Sequence, residues 1–192
     1  GDAADNVPGC PGVGEKTAER YAFSILNLPV EKVEEFSTVL NDFKYNLTIC
    51  ENCGCLCEKN KCSLCDDELR ESEKICVVES PRNALLFEKS GIYTGKYHVL
   101  GGLISPMEGI NPENLTIGKL LQRVEQEKIK EVILALKPGI EGETTSLYLK
   151  RLLEDKNVKV SQIAQGIPVG ADLEYLDALT LELALSNRKE LS

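Results

Sequence analysis

The chain has 192 residues with 42% hydrophobic content, which is enough for one medium domain or two small ones with a core of their own. Its formal net charge of -9 excludes a broad basic surface that coats DNA, because phosphate neutralisation supplies most of the affinity of such surfaces, so any DNA contact must be local. The absence of Trp and the presence of only 4 Phe argue against an aromatic platform that stacks single-stranded bases.

The first predicted element is a glycine turn followed by a helix. Residues 11–14 read Pro-Gly-Val-Gly, and Gly12 and Gly14 permit a tight turn with positive φ that lets backbone N–H groups approach a phosphate. Lys16 and Arg20 follow four residues apart, so they share one helical face and could flank the same DNA backbone. The pattern resembles a helix-hairpin-helix, which binds the DNA backbone without reading sequence. An ordinary glycine turn that starts a helix is the alternative.

The phrase before this turn has a resemblance of its own. Residues 1–9 read GDAADNVPG, which is similar to the hairpin region of the flap and exonuclease family of structure-specific 5′ nucleases. In that family, acidic residues lie close to a metal-dependent site. The other carboxylates of such a nuclease are not visible in the sequence.

Residues 28–47 predict an amphipathic helix. Their apolar side chains recur on one helical stripe, which includes Val33, Phe36, Leu40 and Phe43. We expect this helix to pack on the preceding helix or on a second subunit, with a solvated acidic outer face.

A cysteine-rich segment follows and carries the most specific signal in the chain. Residues 50–65 hold two Cys-x-x-Cys pairs, whose members are Cys50, Cys53, Cys62 and Cys65. Four thiolates at this spacing predict a structural Zn²⁺, which accepts a tetrahedral sulfur shell and stabilises a segment that has almost no apolar residues. Cys55 and Cys57 lie between the pairs, and either could substitute in the shell.

Two other cysteine chemistries remain open for this segment. A disulfide cluster or redox pair is the first, but the sequence shows no signal peptide and no transmembrane run, which favours a reducing cytoplasm. An iron–sulfur cluster is the second.

The rest of the chain alternates between apolar runs and helical stretches. After a charged connector at residues 66–74, strands are predicted at 75–78, 97–100, 132–136 and 158–164, with helices around 84–87, 117–127 and 143–153. This alternation predicts an α/β fold with a parallel sheet covered on both faces. Such sheets place ligands beyond the carboxyl ends of their strands, where Glu79, Glu141 and Glu143 could converge at one rim.

Taken in order, these phrases resemble the RecR family of bacterial recombination mediators. The resemblance rests on the glycine hairpin, the four-cysteine segment, and the phrases ICVVESP, GGLISPMEGINPE, EVILALKPGIEGETTSLYL and GIPVGADLEY. It implies a helix-hairpin-helix at 1–47, a zinc finger at 48–73, a Toprim domain at 74–168 and a C-terminal segment at 169–192. It also implies a dimeric or tetrameric ring that acts in the bacterial cytoplasm near the nucleoid. RecR proteins bind gapped DNA and work with RecO and RecF to help RecA replace single-strand-binding protein.

The resemblance also assigns roles to individual residues. It places the zinc ligands on the four cysteines named above, the DNA-contacting basic pair on Lys16 and Arg20, and the Toprim glutamate on Glu79. The acidic Toprim motif, Asp-x-Asp-x-Glu-Gly-Glu in topoisomerases, falls on residues 137–143, where Lys137 and Gly139 replace both aspartates. Too few oxygen ligands then remain for Mg²⁺, which implies a protein that is not an enzyme.

The remaining carboxylates have three possible roles. Glu79, Glu141 and Glu143 could form an acidic docking surface for a basic partner such as RecO, or they could be ordinary solvated charges. The alternative function is a metal-dependent nuclease or topoisomerase-like enzyme that uses the same three residues.

The sequence has no Walker A loop near Asp172, Glu174 and Asp177, which disfavours ATP hydrolysis. We expect the lone His98 to be structural and Cys76 to be a small buried hydrophobic residue.

Overall fold

The computed structural model of the chain describes residues 6–7, 10–59 and 61–188. Two compact units make up the chain, the first ending at Leu47 and the second beginning at Thr48. Among the described helices, none combines the length and the apolar character needed to cross a lipid bilayer.

The first unit is a short strand pair followed by two helices. Strands β1 (Asn6–Val7) and β2 (Cys10–Gly14) pair in antiparallel fashion, and helices α1 (Glu15–Leu26) and α2 (Val30–Asn46) follow. The helix predicted after the glycine turn and the amphipathic helix after it are both confirmed. The positive φ expected of the turn is not found at Gly14, which is extended with φ -72° and ψ 160° because it ends β2. Most of the nuclease-like phrase at 1–9 lies outside the described residues.

Neither helix of the first unit has a buried residue. The large apolar side chains exposed on these two helices are Tyr21, Phe23, Ile25, Leu26, Val30, Phe36, Val39, Leu40, Phe43 and Tyr45. An apolar surface of this kind is typical of a face that a partner covers.

The second unit begins with the cysteine-rich segment. Strands β3 (Leu47–Ile49) and β4 (Leu56–Glu58) form a two-stranded sheet, and the short helix α3 (Ser63–Asp66) carries the last cysteine of the segment. The rest of the unit is an α/β layer structure. Its four strands are β5 (Glu71–Val78), β6 (Gly95–Val99), β7 (Glu131–Ala135) and β8 (Lys159–Gln162).

These four strands form one parallel sheet in the order β6-β5-β7-β8. Helices flank it, which confirms the α/β prediction, and a further helix follows near the C-terminus. The helices are α4 (Pro81–Ser90), α5 (Ile117–Gln126), α6 (Ile140–Leu153) and α7 (Ala178–Ser186).

The two faces of the sheet bury different cores, because side chains alternate along a strand. On β5, Ile75 and Val77 join a core of Leu, Ile and Val residues that includes side chains of α5 and α6. Cys76 and Val78 point to the opposite face and join a second core that contains Cys53, Cys55 and Cys62. The prediction that Cys76 is a buried hydrophobic residue is confirmed, since it is 2% exposed.

Two elements begin earlier than the sequence pattern predicts, because apolar periodicity detects only buried residues. Residues 71–74 were expected in a connector but form the charged, exposed half of β5, where Lys74 pairs with Glu71 at 2.7 Å. Helix α6 begins at Ile140 rather than at residue 143, and its first turn is exposed at Ile140 and Glu141.

His98 is buried on β6 in a polar network, as its predicted structural role requires. Its Nε2 lies 2.9 Å from Thr116 Oγ1, and its Nδ1 lies 3.3 Å from Nη1 of the buried Arg123. Because the guanidinium can only donate, Nδ1 accepts and Nε2 carries the proton of a neutral ring. Burial and the charge of Arg123 lower the pKa of His98 to about 4.

We expect this buried histidine to make the protein less stable as the pH falls. The unfolded ring protonates near pH 6.5 and the folded ring near pH 4, so stability is complete above pH 6.5 and is lost through that window. Between pH 7 and pH 5 the histidine alone should cost about 2 kcal/mol of unfolding free energy. Urea denaturation at both pH values, on the parent chain and on His98→Gln, measures the difference. Equal losses in the two proteins would contradict the prediction.

Candidate functional site

The structure brings Cys50, Cys53, Cys62 and Cys65 together. Their sulfur atoms all lie within 4.8 Å of one another, the Sγ atoms of Cys50 and Cys65 are 3.9 Å apart, and those of Cys53 and Cys62 are 3.6 Å apart. The seven cysteines from Cys50 to Cys76 are all free thiols in this structure.

The spacing of these sulfur atoms fits a tetrahedral metal site. An ion that holds four thiolates at about 2.3 Å places neighbouring sulfurs about 3.8 Å apart, which matches the two measured separations. N–H groups already point at two of the sulfurs, since the Cys55 backbone N–H donates to Cys53 Sγ at 3.4 Å and Asn52 Nδ2 donates to Cys65 Sγ at 3.6 Å. Such hydrogen bonds stabilise negative sulfur and orient it toward a cation. The four cysteines could therefore bind one metal ion.

The thiols of the cluster differ in how readily they ionise. Burial opposes ionisation of Cys50, but hydrogen bonds from the Cys53 and Asn52 backbone outweigh it and lower the pKa of Cys50 to about 7. The pKa of Cys65 is raised instead, by its side-chain hydrogen bond with Cys53, by burial and by repulsion from the Cys53 charge. Charge on one thiol therefore opposes ionisation of its neighbours, and a divalent cation would offset that repulsion.

The cysteine segment packs directly on the sheet. The Val99 N–H at the end of β6 donates to the Cys53 carbonyl at 2.8 Å, and Lys119 on α5 donates to the Glu51 carbonyl at 3.2 Å. Gly54 has a φ of +74°, and a Cβ added there would lie 2.8 Å from the Cβ of Val99, so only glycine allows this close approach. The cysteine cluster and the sheet therefore share one core.

The three glutamates predicted at the rim of the sheet occupy two places. Glu79 directly follows β5, and its carbonyl accepts from the Gly101 N–H at 3.0 Å. Glu141 and Glu143 lie in the first turn of α6, where a negative charge is favoured by the helix dipole.

The Glu143 carboxylate is held by two amide side chains. Its Oε1 accepts from Gln162 Nε2 at 2.9 Å and from Gln165 Nε2 at 2.8 Å. Among the residues that the structure describes, side chains that could jointly bind a metal ion cluster only at the four cysteines, and the three glutamates form no such group. The geometry of the rim does not favour a divalent cation.

The basic pair predicted to contact DNA lies on α1, where Lys16 and Arg20 are both exposed. The Arg20 guanidinium lies 5.6 Å from the ring centre of Tyr21, a cation–π distance that leaves its N–H groups available. Gly12 and Gly14 belong to β2, directly before this helix.

Sequence reasoning missed the partners of these residues. Gln162 and Gln165 gave no signal, because they meet Glu143 only when β8 packs beside α6. The contact between Cys53 and Val99 was equally hidden. Gly54 did carry a signal, since a glycine inside a cysteine loop often marks a positive φ or a close backbone approach.

Comparison with known protein families gives two matches that follow each other along the chain. A Toprim domain model matches residues 73–164, which covers β5 to β8 and the helices between them. A model described as RecR, C-terminal matches residues 166–189, which includes α7.

Proposed function

Because the chain is a RecR-type protein, we propose that it is a DNA-binding mediator of recombinational repair that catalyses no reaction itself. In this proposal it binds gapped DNA or a junction of single and double strands in the cytoplasm, near the nucleoid. It works with RecO and RecF and helps RecA load in place of single-strand-binding protein. Its Toprim and RecR regions indicate DNA repair and recombination as the general process.

The proposal that the protein catalyses no reaction rests on the residues at the acidic-motif positions of the Toprim domain. The exposed Lys137 occupies the position of the first motif aspartate, where its ammonium group would repel a divalent cation. Gly139 offers no side-chain oxygen at the second position. Glu143 is occupied by hydrogen bonds from Gln162 and Gln165. Two-metal or one-metal phosphoryl chemistry needs several free carboxylate oxygens around one ion.

A nicking assay separates the mediator from the alternative, a Toprim nuclease or topoisomerase-like enzyme. We expect supercoiled plasmid to stay intact with the purified protein, with and without Mg²⁺. Mg²⁺-dependent product that disappears in Glu79→Gln would contradict the proposal, since that variant removes a carboxylate and keeps the side-chain shape. Product that survives in Glu79→Gln would point to a contaminating nuclease, which further purification removes.

We propose that the strand pair and α1 form the DNA-binding hairpin. The exposed Lys16 and Arg20 stand one turn apart on α1, and the helix begins directly after Gly14. A helix N-terminus with two nearby cations favours the binding of a phosphate group. This local site is compatible with the acidic chain as a whole, because the net charge of -9 opposes only broad electrostatic binding.

Replacing Lys16 and Arg20 together with alanine should weaken DNA binding without changing thermal stability. Two lost phosphate contacts should lower the slope of log affinity against log salt by about 2 and weaken binding uniformly across DNA sequences. The measurement is a salt titration of binding to gapped DNA by fluorescence anisotropy. Arg82→Ala with Lys89→Ala is the matched control, because it removes the same charge from exposed positions on α4. Equal affinity of the Lys16/Arg20 variant and the parent would remove the hairpin from the DNA site.

We further propose Zn²⁺ as the resident ion of the four-cysteine centre. When bound, the ion links the segment that holds Cys50 to α3 and stabilises the fold; it takes no part in a reaction. A set of four clustered cysteines supports a structural role, because structural zinc sites are closed by four protein ligands.

We also propose a docking surface and an oligomer. Glu79, Glu141 and Glu143 present negative charge at the carboxyl end of the sheet, which suits a basic partner such as RecO. The exposed apolar side chains of α1 and α2 suit pairing between copies of the chain in a dimer or tetramer ring. Mass measurement in solution tests the second point, and a species of the 21.1 kDa chain mass alone would contradict it.

A further inference from the structure

The cysteine segment contains two more thiols than one tetrahedral ion can use. Cys55 and Cys57 lie between the two Cys-x-x-Cys pairs. Cys55 is buried in the second core together with Cys53 and Cys62, and Cys57 packs against that core. The extra thiols therefore lie in or against the same core as two of the clustered cysteines.

The two extra thiols have different neighbours. Cys55 is 1% exposed and interacts with the Cys53 side chain. Cys57 is half-buried, packs against the second core, and interacts with the side chains of Cys50 and Cys62. Cys57 thus stands beside one ligand from each Cys-x-x-Cys pair. The side chains that act on Cys65 are those of Cys53, Cys62 and Cys50.

We propose that Cys57 is a reserve metal ligand, which replaces Cys50 or Cys62 in the shell when either of those thiols is lost. The ion is a thiophilic divalent cation such as Zn²⁺. In the exchange, Cys57 releases one proton as its sulfur binds, so the shell keeps four thiolates and the same charge.

A reserve ligand at Cys57 would protect the metal site against chemical damage to its other cysteines. A thiol that is oxidised or alkylated no longer binds metal, and the partly exposed Cys50 is open to such damage. A fourth sulfur from Cys57 would keep the ion, and with it the second core, in place. Cys65 is equally half-buried but has no such substitute in this proposal.

The test measures the metal bound by single and double variants of the full chain. Each variant is stripped with a chelator under reducing conditions and reloaded with Zn²⁺ or Co²⁺. Metal per chain is measured by elemental analysis, and sulfur coordination by the thiolate-to-cobalt charge-transfer absorption. We expect about one ion per chain in the parent, in Cys57→Ser and in Cys62→Ser, all with a four-thiolate cobalt spectrum.

The matched comparisons decide whether Cys57 is responsible. Metal should be lost in Cys57→Ser with Cys62→Ser, but kept in Cys55→Ser with Cys62→Ser. Cys65→Ser should lose metal or bind it with an altered cobalt spectrum, although it removes one thiol just as Cys62→Ser does.

Three results would overturn the inference. A metal-free Cys62→Ser, whether folded or not, would show that Cys57 does not replace Cys62. A metal-loaded Cys57→Ser with Cys62→Ser would show that another group does. A metal-free parent chain would remove the metal centre itself, and would count against the proposed Zn²⁺ as well, which distinguishes that failure from the other two.

Discussion

Replacing Cys50 and Cys65 together with serine is expected to abolish metal binding and the cooperative unfolding of the second unit. The variant leaves only Cys53 and Cys62 of the four clustered thiols, and Cys57 could add only one more, which is too few for a tetrahedral sulfur shell. Metal binding contributes on the order of 10 kcal/mol to the folding of small structural sites, which is comparable to the whole stability of a domain.

Because the cysteine segment and the sheet share the second core, loss of the metal should destabilise the sheet as well. Cys53, Cys55 and Cys62 pack with Cys76, Val78, Tyr97 and Val99, so release of the segment exposes the part of that face which α4 does not cover. Elemental analysis and thermal melting followed by far-ultraviolet circular dichroism measure the outcome. The near-ultraviolet signal of the buried Tyr97 should vanish as well. Cys57→Ser is the control, because it removes a thiol but leaves all four clustered cysteines. A metal-free double variant that still melts cooperatively at the parent temperature would show that the ion is dispensable.

Gly142→Ala is expected to destabilise the protein by at least about 2 kcal/mol, the cost of overpacking a buried site. Gly142 is buried in the first turn of α6, beneath the loop that follows β7. A Cβ added there would overlap the Lys137 carbonyl oxygen and lie 3.1 Å from the Lys137 carbonyl carbon. Because these atoms belong to the backbone, the loop or the helix must move.

Gly118→Ala provides the matched control for this substitution. Gly118 lies in the first turn of α5, is exposed, and has nothing within 4 Å of an added Cβ. Alanine there should stabilise the protein by roughly 0.5–1 kcal/mol, since glycine is a poor helix former. Urea denaturation of the two variants should therefore shift the midpoint in opposite directions. Equal stability of Gly142→Ala and the parent would contradict the close packing of α6 on this loop.

The buried parts of the strands and helices were predictable because buried residues form apolar runs or periodic apolar patterns in the sequence. Ile75 to Val78 is a continuous apolar run, and it is the part of β5 that is buried on both faces. Residues 71–74 belong to the same strand but are charged and exposed, so no local pattern distinguishes them from a connector. The start of α6 was missed for the same reason at Ile140 and Glu141.

For the candidate site, too, part was predictable from the sequence and part was not. The four clustered cysteines are visible because two short motifs place them at fixed spacing. The clamp of Gln162 and Gln165 on Glu143 joins residues 19 and 22 positions apart, and the bond between Cys53 and Val99 joins two elements that have no sequence relation. Contacts of this kind depend on how the layers pack, which a single sequence does not encode locally. The neutral state of His98 likewise follows from Thr116 and Arg123, which come from other elements.

The cysteine segment covers one face of a sheet whose strands all come later in the chain. During synthesis it leaves the ribosome before β5, and it can capture its ion while the strands that it will cover are still being made. A segment that has already bound metal would then be ready to pack against Val99 and its neighbours when they are made. If the ion is scarce when the chain is made, the part of the sheet that this segment covers would stay exposed, and we expect the yield of folded protein to fall with metal supply.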